Sequence, residues 1–138
     1  AYEVAVGLLG DPSMGVRLAA ADALMRLVDD VSFFPESFDA HMPEAMARLF
    51  ALLAQARQVD TQLRVLNVVS VVMGAVGPRL APVVPAMLAA LPPLWAQALR
   101  EHLLLGAVLV TMTRLVQAAP PNTHTHTHTL PRSRWPRA

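Results

Sequence analysis

The sequence predicts an all-α fold: a right-handed α-solenoid of stacked antiparallel helix pairs, followed by a disordered C-terminal tail. Three observations predict it. Apolar residues recur at helical spacing through most of the first 119 positions, and the arcs they cover are wider than the stripe of an ordinary surface helix. Proline and glycine punctuate the stretches between these arcs. The second member of each predicted pair begins near Asp11, Asp60 and Glu101, a spacing of about 40–50 residues.

The central stretch is Asp11 to Asp30. Asp11 is placed to cap the first free amide groups, and Pro12 suits the first helical position, where no N–H is needed. At about 100° per residue, Asp22, Arg26 and Asp29 share one side with Gly15 and Ala19, and apolar residues cover the rest. Arg17 lies inside the apolar arc and needs a partner, so a carboxylate from a turn or an adjacent helix is expected there. Before this helix, Tyr2 to Leu9 reads as the last turns of an outer helix that ends near Gly10. After it, Val31 to Pro35 is a connection whose aromatics plug the gap between layers.

Pro43 starts the next helix, which runs to about Arg57 with Met42, Met46, Leu49, Leu53 and Ala56 as its buried stripe. Glu44 and Arg48 mark its wet side at the favourable i, i+4 spacing. Asp60 or Thr61 caps the following helix, which extends to Val76 and buries Val65, Leu66, Val68, Val69, Val72, Met73 and Val76. Arg64, Asn67, Ser70 and Gly74 lie opposite. Pro82 begins another helix, which Pro92 and Pro93 must kink or end near Leu91, because proline removes an interior hydrogen bond and clashes with the preceding turn. Trp95 packs at that kink. The last helix runs from about Glu101 to Ala118; Leu104, Leu105, Val108, Met112 and Leu115 pack, and Thr113, Arg114 and Gln117 face away.

Residues 1–119 therefore form about two and a half helix pairs, with the period of HEAT or armadillo repeats. Each pair alone leaves an apolar face bare, and stacking buries it. Residues 120–138 alternate threonine with histidine, carry scattered proline and arginine, and have no apolar period; they read as a disordered low-complexity tail.

Composition narrows the function classes. The chain is 54% hydrophobic and 15% charged, which suits a packed core. Residues 1–119 carry ten acidic groups against eight arginines, so no basic patch points to nucleic acid. The longest uncharged run, Leu80 to Leu99, contains Pro82, Pro85, Pro92 and Pro93 and is not expected to span a membrane. No cysteine is present, hence no disulfide and no thiolate metal site. No basic leader with a cleavage site is visible at the start, and a fragment of a longer protein is expected.

The residues also resemble a known family. Arg17-Leu18 with Ala20-Ala21 and Leu24, then Val28-Asp29-Asp30, Phe33 and Phe38, look like the importin-beta (karyopherin-beta) family. The likeness continues through Leu49-Phe50, Leu52-Leu53, Asp60-Thr61, Val65-Leu66 and Ser70. It resumes at Leu91-Pro92, Leu94-Trp95, His102-Leu103, Thr111 and Leu115 to Ala118. It spans about residues 8–119, and its order and spacing carry it rather than a single motif. The resemblance implies a middle HEAT-repeat fragment of a nuclear transport receptor. Its partners would be protein cargo, nuclear pore proteins, and Ran-GTP through family repeats absent from this fragment; its location would be cytoplasm and nucleus. The doubled Pro92-Pro93 and the Thr-His tail depart from the family pattern. Without the resemblance, the alternatives are a HEAT-repeat scaffold unrelated to transport and a small membrane protein.

For chemistry, the sequence offers little. His124, His126 and His128 belong to the low-complexity tail, with no second shell to order a metal. His41 and His102 read as turn and helix-start residues. The glycines are scattered and form no phosphate loop. No histidine or carboxylate can be named as partner to a serine nucleophile, so the chain is not expected to be an enzyme and needs no cofactor or metal. Asp22, Asp29 and Asp30 are the candidate protein-binding residues, since an acidic face attracts basic cargo segments; the competing reading is a solvated face with Asp22 paired to Arg26. Asp11, Arg17 and Asp60 are expected to act structurally, as caps and as a ladder between repeats.

Overall fold

The computed structural model describes residues 2–118. The tail expectations, including those for His124, His126 and His128, lie outside the described residues. Seven α-helices follow in order among those residues: α1 (Tyr2–Leu8), α2 (Met14–Val28), α3 (Pro35–Phe38), α4 (Met42–Gln55), α5 (Val59–Val76), α6 (Val84–Arg100) and α7 (His102–Ala118). A 3-10 segment, Gly77–Val83, links α5 to α6. Helices α1 and α2, α4 and α5, and α6 and α7 form pairs joined by short connections. Within one layer α5 packs between α2 and α7, and in the other α4 packs between α1 and α6. Pairs stacked in this way make an all-α solenoid, as the period of the sequence predicts.

The core lies between the layers. Leu24, Met46, Leu49, Leu52, Val65, Val69, Val72, Leu80, Leu104 and Val108 are fully or nearly fully buried there. The seven α5 residues predicted to be apolar-side are all buried, because α5 has helices on several sides. The helical run Val59–Arg100 is long and apolar enough, by length and composition, to cross a membrane. It is not one straight rod. Its backbone turns at Gly77, whose φ of 56° is in the left-handed region that favours glycine. Beyond that turn the chain reverses through the 3-10 segment into α6.

Four details differ from the sequence-based expectations. First, α2 begins at Met14, not at Pro12. Ser13 is its cap, its Oγ accepting from the Val16 amide at 3.4 Å, while the Asp11 carboxylate accepts from the Ser13 amide at 2.9 Å. Asp11 thus closes an Asx turn ahead of the helix, because the serine two residues on is equally competent to cap. Second, Asp60 lies inside the first turn of α5; Gln58 occupies the cap position and makes no side-chain cap bond. Asp60 still places a negative charge near the positive helix end.

Third, α6 does not end near Leu91: of the two outcomes expected at Pro92 and Pro93, a kink or an end, the end does not occur, and the helix continues to Arg100. Both prolines are exposed, as are Leu88 and Ala89, whose carbonyls lose their usual donors. Water can serve those carbonyls. Met87, Leu91, Leu94 and Ala98 are buried on the opposite face, and their packing holds the helix together. Fourth, the aromatic plug is not the Phe33-Phe34 pair. Phe38 is fully buried, Tyr2 meets it edge-on at 5.3 Å between ring centroids, and Phe33 lies 6.2 Å away on another side. Phe34 is 62% exposed.

Candidate functional site

The polar groups of the solenoid are arranged chiefly as rungs between successive repeats. Arg64 on α5 forms an ion pair with Asp22 on α2, its Nε donating to Oδ1 at 3.3 Å. That hydrogen bond holds the guanidinium pKa above its already high ordinary value. One turn further along, Asn67 reaches the Met25 sulfur at 3.6 Å. On the other side of α5, Arg114 of α7 donates to the Ser70 hydroxyl at 2.9 Å. The Arg114 head group also fills the space beside Gly74, where a Cβ would come within 2.5 Å of its Nη1.

The same relation recurs elsewhere. Arg48 of α4 donates to the Val6 carbonyl at 2.6 Å and the Gly7 carbonyl at 3.2 Å, covering the C-terminal end of α1 with a positive charge. Arg79 of the 3-10 segment pairs with Glu36 at 2.9 Å and with Asp39, both on or beside α3. These arginine contacts span between 40 and 44 residues, about one repeat each. The sequence placed Arg64 and Arg114 on wet helix faces and saw Arg48 only as a partner of Glu44. The arginine–acceptor separation close to the repeat period was the signal that could have found them.

Arg17 bridges α2 to α4, but its partner is the side-chain oxygen of Gln55 and not the carboxylate expected for it. Its Nε is buried with no partner among the described residues. The glutamine at the end of α4 reaches Arg17 across the gap between the two helices.

The three acidic candidates do not converge on one open site. Asp22 is occupied by Arg64 and does not pair with Arg26. Asp30 folds onto its own turn: the Ser32 hydroxyl donates to Oδ1 at 2.6 Å and the Ser32 amide at 2.8 Å. These two bonds, the hydroxyl one first, hold the Asp30 carboxyl below its ordinary range. Asp29 is the C-cap of α2, where its amide donates to the Met25 carbonyl. Its side chain is exposed and makes no hydrogen bond or ion pair among the described residues.

An amide pair, buried at Gln62 and half-buried at Gln97, joins the second and third helix pairs. Gln62 is 3% exposed; its Nε2 donates to the Ala56 carbonyl at the end of α4, and its Oε1 accepts from Gln97 of α6, both at 3.0 Å. Beside Gln97 an open groove of about 270 Å³ runs between α4 and α6, walled by Phe50, Leu53, Pro93 and Leu94. Phe50 also walls a second open lobe of about 210 Å³ beside Pro43, Met46, Pro82 and Met87. No charged side chain lines either lobe, so the groove suits apolar side chains rather than a small charged substrate. Trp95 is half-buried against the core. Among the described residues, no group of three or more His, Asp or Glu side chains is placed to hold a metal ion.

Comparison with known proteins gives one clear likeness. The chain is similar to importin-11 of Mus musculus and of Homo sapiens, 35% identical to each over 116 residues, or 84% of this chain. That stretch is 12% of the length of each relative, so the match is to one short part of a much longer protein. It bears out the family resemblance read from the sequence. No family profile matches the chain, and no solved structure matches it.

Proposed function

We infer that this chain is a segment of an importin-beta-type nuclear transport receptor and that it works by non-covalent protein binding, not by catalysis. One observation carries the reading: 35% identity to importin-11 across 84% of the chain, on a fold of stacked helix pairs. On this reading the partners are protein cargo and nuclear pore proteins, with Ran-GTP engaged through repeats outside this segment, and the protein moves between cytoplasm and nucleus. Ran-GTP shifts the curvature of the whole solenoid, which changes its affinity for cargo. This segment contributes compliance. Its inter-repeat ion pairs are half-exposed and individually weak, so they break and re-form as neighbouring pairs tilt.

The acidic candidates enter in modified form. Asp22 and Asp30 are engaged within the fold, and Asp29 is the one whose carboxylate is open among the described residues. A basic cargo segment would therefore meet Asp29 first. The test is a chimera in which this chain replaces the matching stretch of importin-11, assayed for nuclear import in permeabilised cells. Import that depends on Ran, and a lowered cargo affinity on Asp29→Asn, support the reading. A folded chimera that binds neither cargo nor pore proteins overturns it.

A further inference from the structure

The open lobe of about 210 Å³ beside Pro43, Met46, Pro82 and Met87 has both of its walls, α4 and the start of α6, inside the described residues. Its opening is therefore a property of two neighbouring repeats and not of an end of the stack. The surface next to it is acidic. Residues 29–39 hold four carboxylates, Asp29, Asp30, Glu36 and Asp39, and no arginine. Glu36 and Asp39 share Arg79, which belongs to the same 3-10 segment as Pro82. Their side chains are 53% and 45% exposed, so two carboxylates balanced by one guanidinium face solvent near the apolar hollow.

Helix α7 ends at the same place. Ala118, its last residue, lines a hollow together with Gly77 and Pro78, at the beginning of the 3-10 segment. Pro82 stands four residues further on, about 8 Å at the rise of a 3-10 helix. Beyond Ala118 the chain carries Leu130, Trp135, Arg132, Arg134 and Arg137, and no acidic residue. Seventeen positions separate Trp135 from Ala118, an extended reach of roughly 55 Å. That is ample to cross the 3-10 segment. Charge is complementary as well, a basic segment leaving the solenoid beside its acidic end.

We propose that residues 130–136 fold back over the 3-10 segment, seat Trp135 in the lobe between α4 and α6, and lay Arg132 and Arg134 against Glu36 and Asp39. Leu130 and Trp135 each precede a proline, which favours an extended path along the groove. An indole has a large apolar body and a polar tip, and it suits a hollow open on one side. So small a lobe holds a free peptide weakly. Tethering through α7 raises the effective concentration of the segment to the order of millimolar, which favours the chain's own segment over a separate protein. Any partner that uses the groove has to displace it, so the segment acts as a built-in competitor.

The chain has no cysteine, so one nitroxide label can be placed at Ser133→Cys in the full chain and the methionine methyl signals followed by NMR. The signals of Met46 and Met87, which line the lobe, should be lost to paramagnetic broadening. The signal of Met14, one turn before Arg17 at the far end of α4 beside Gln55, should persist. Adding Trp135→Ala to the labelled chain should restore Met46 and Met87, and so should Arg132→Glu with Arg134→Glu. These substitutions lie outside the seven helices and should leave helical circular dichroism unchanged. Persistence of all three signals overturns the proposal and leaves the lobe to a different protein. Broadening that survives Trp135→Ala overturns it too. So does equal broadening in a mixture of spin-labelled and separately isotope-labelled chains, which assigns the contact to a second copy.

Discussion

Arg64 and Asp22 lie 42 residues apart in sequence and share an ion pair between α5 and α2. The carboxylate side chain is 24% exposed and the arginine 48%, so solvent and salt screen the pair. Single replacements Asp22→Ala and Arg64→Ala should each lower stability by about 0.5–1 kcal/mol. A double-mutant cycle by urea unfolding should give a coupling no larger than about 1 kcal/mol, shrinking as salt is raised. A coupling of several kcal/mol would mean that the rung, and not the apolar layers, holds the repeats together.

Gln62 has the opposite character. It is buried and serves two partners, the Ala56 carbonyl and the Gln97 amide. Gln62→Ala leaves the buried Ala56 carbonyl without its donor and opens a void beside the half-buried Gln97 amide, costing about 1–3 kcal/mol. Replacing Gln62 and Gln97 together by leucine removes the Gln97 amide from the problem and should recover part of that loss. Thermal unfolding of the two variants side by side decides the order.

The exposed Pro92 and Pro93 forgo hydrogen bonds to the carbonyls of residues 88 and 89 within an otherwise continuous helix. Changing either to alanine should therefore stabilise the chain, by about 1–3 kcal/mol, and lengthen amide-exchange protection along α6. Loss of stability instead would show that the rings make apolar contacts, at the groove beside Leu94, worth more than the missing bonds.

Asp30 titrates below its ordinary range because Ser32 donates to it twice. The folded pKa is the depressed one. The turn's contribution is thus fully present above the unfolded aspartate range and is lost as pH falls through the lowered folded value. Ser32→Ala removes the hydroxyl bond, the larger cause, and should move the Asp30 carboxyl midpoint upward in a carbon-13 NMR titration. An unmoved midpoint would assign the depression to the backbone amide.

The helices were legible because their apolar arcs follow the period of the backbone, and that period is a local property. The buried stripe of α4, from Met42 through Leu53, and the whole apolar side of α5 could be read residue by residue. Ends were less legible. Asp11 and Ser13 both have capping side chains, and two residues separate one boundary from the other. Local rules also allowed the helix to end at Pro92-Pro93, where it continues, with Leu91 and Leu94 buried on the opposite face. The polar rungs were least legible. A helical wheel marks Arg64 and Arg114 as wet, and only the stacking of the next repeat brings Asp22 or Ser70 within reach. Of the candidate site residues, the wheel placed Asp22 and Asp29 on the right side of α2, but it could not reveal that Asp22 is already occupied.

Arg48, Arg64, Arg79 and Arg114 all reach back toward the amino terminus, each from a later helix to an earlier one. Synthesis proceeds in the same direction. A helix pair leaving the ribosome therefore presents its acceptors, the Val6 carbonyl, Asp22, Glu36 and Ser70, before the arginines that satisfy them exist. Arg17 runs the other way, a cation made before the Gln55 oxygen that meets it. The four backward-reaching arginines thus tie each later helix to an element of the chain that is made before it.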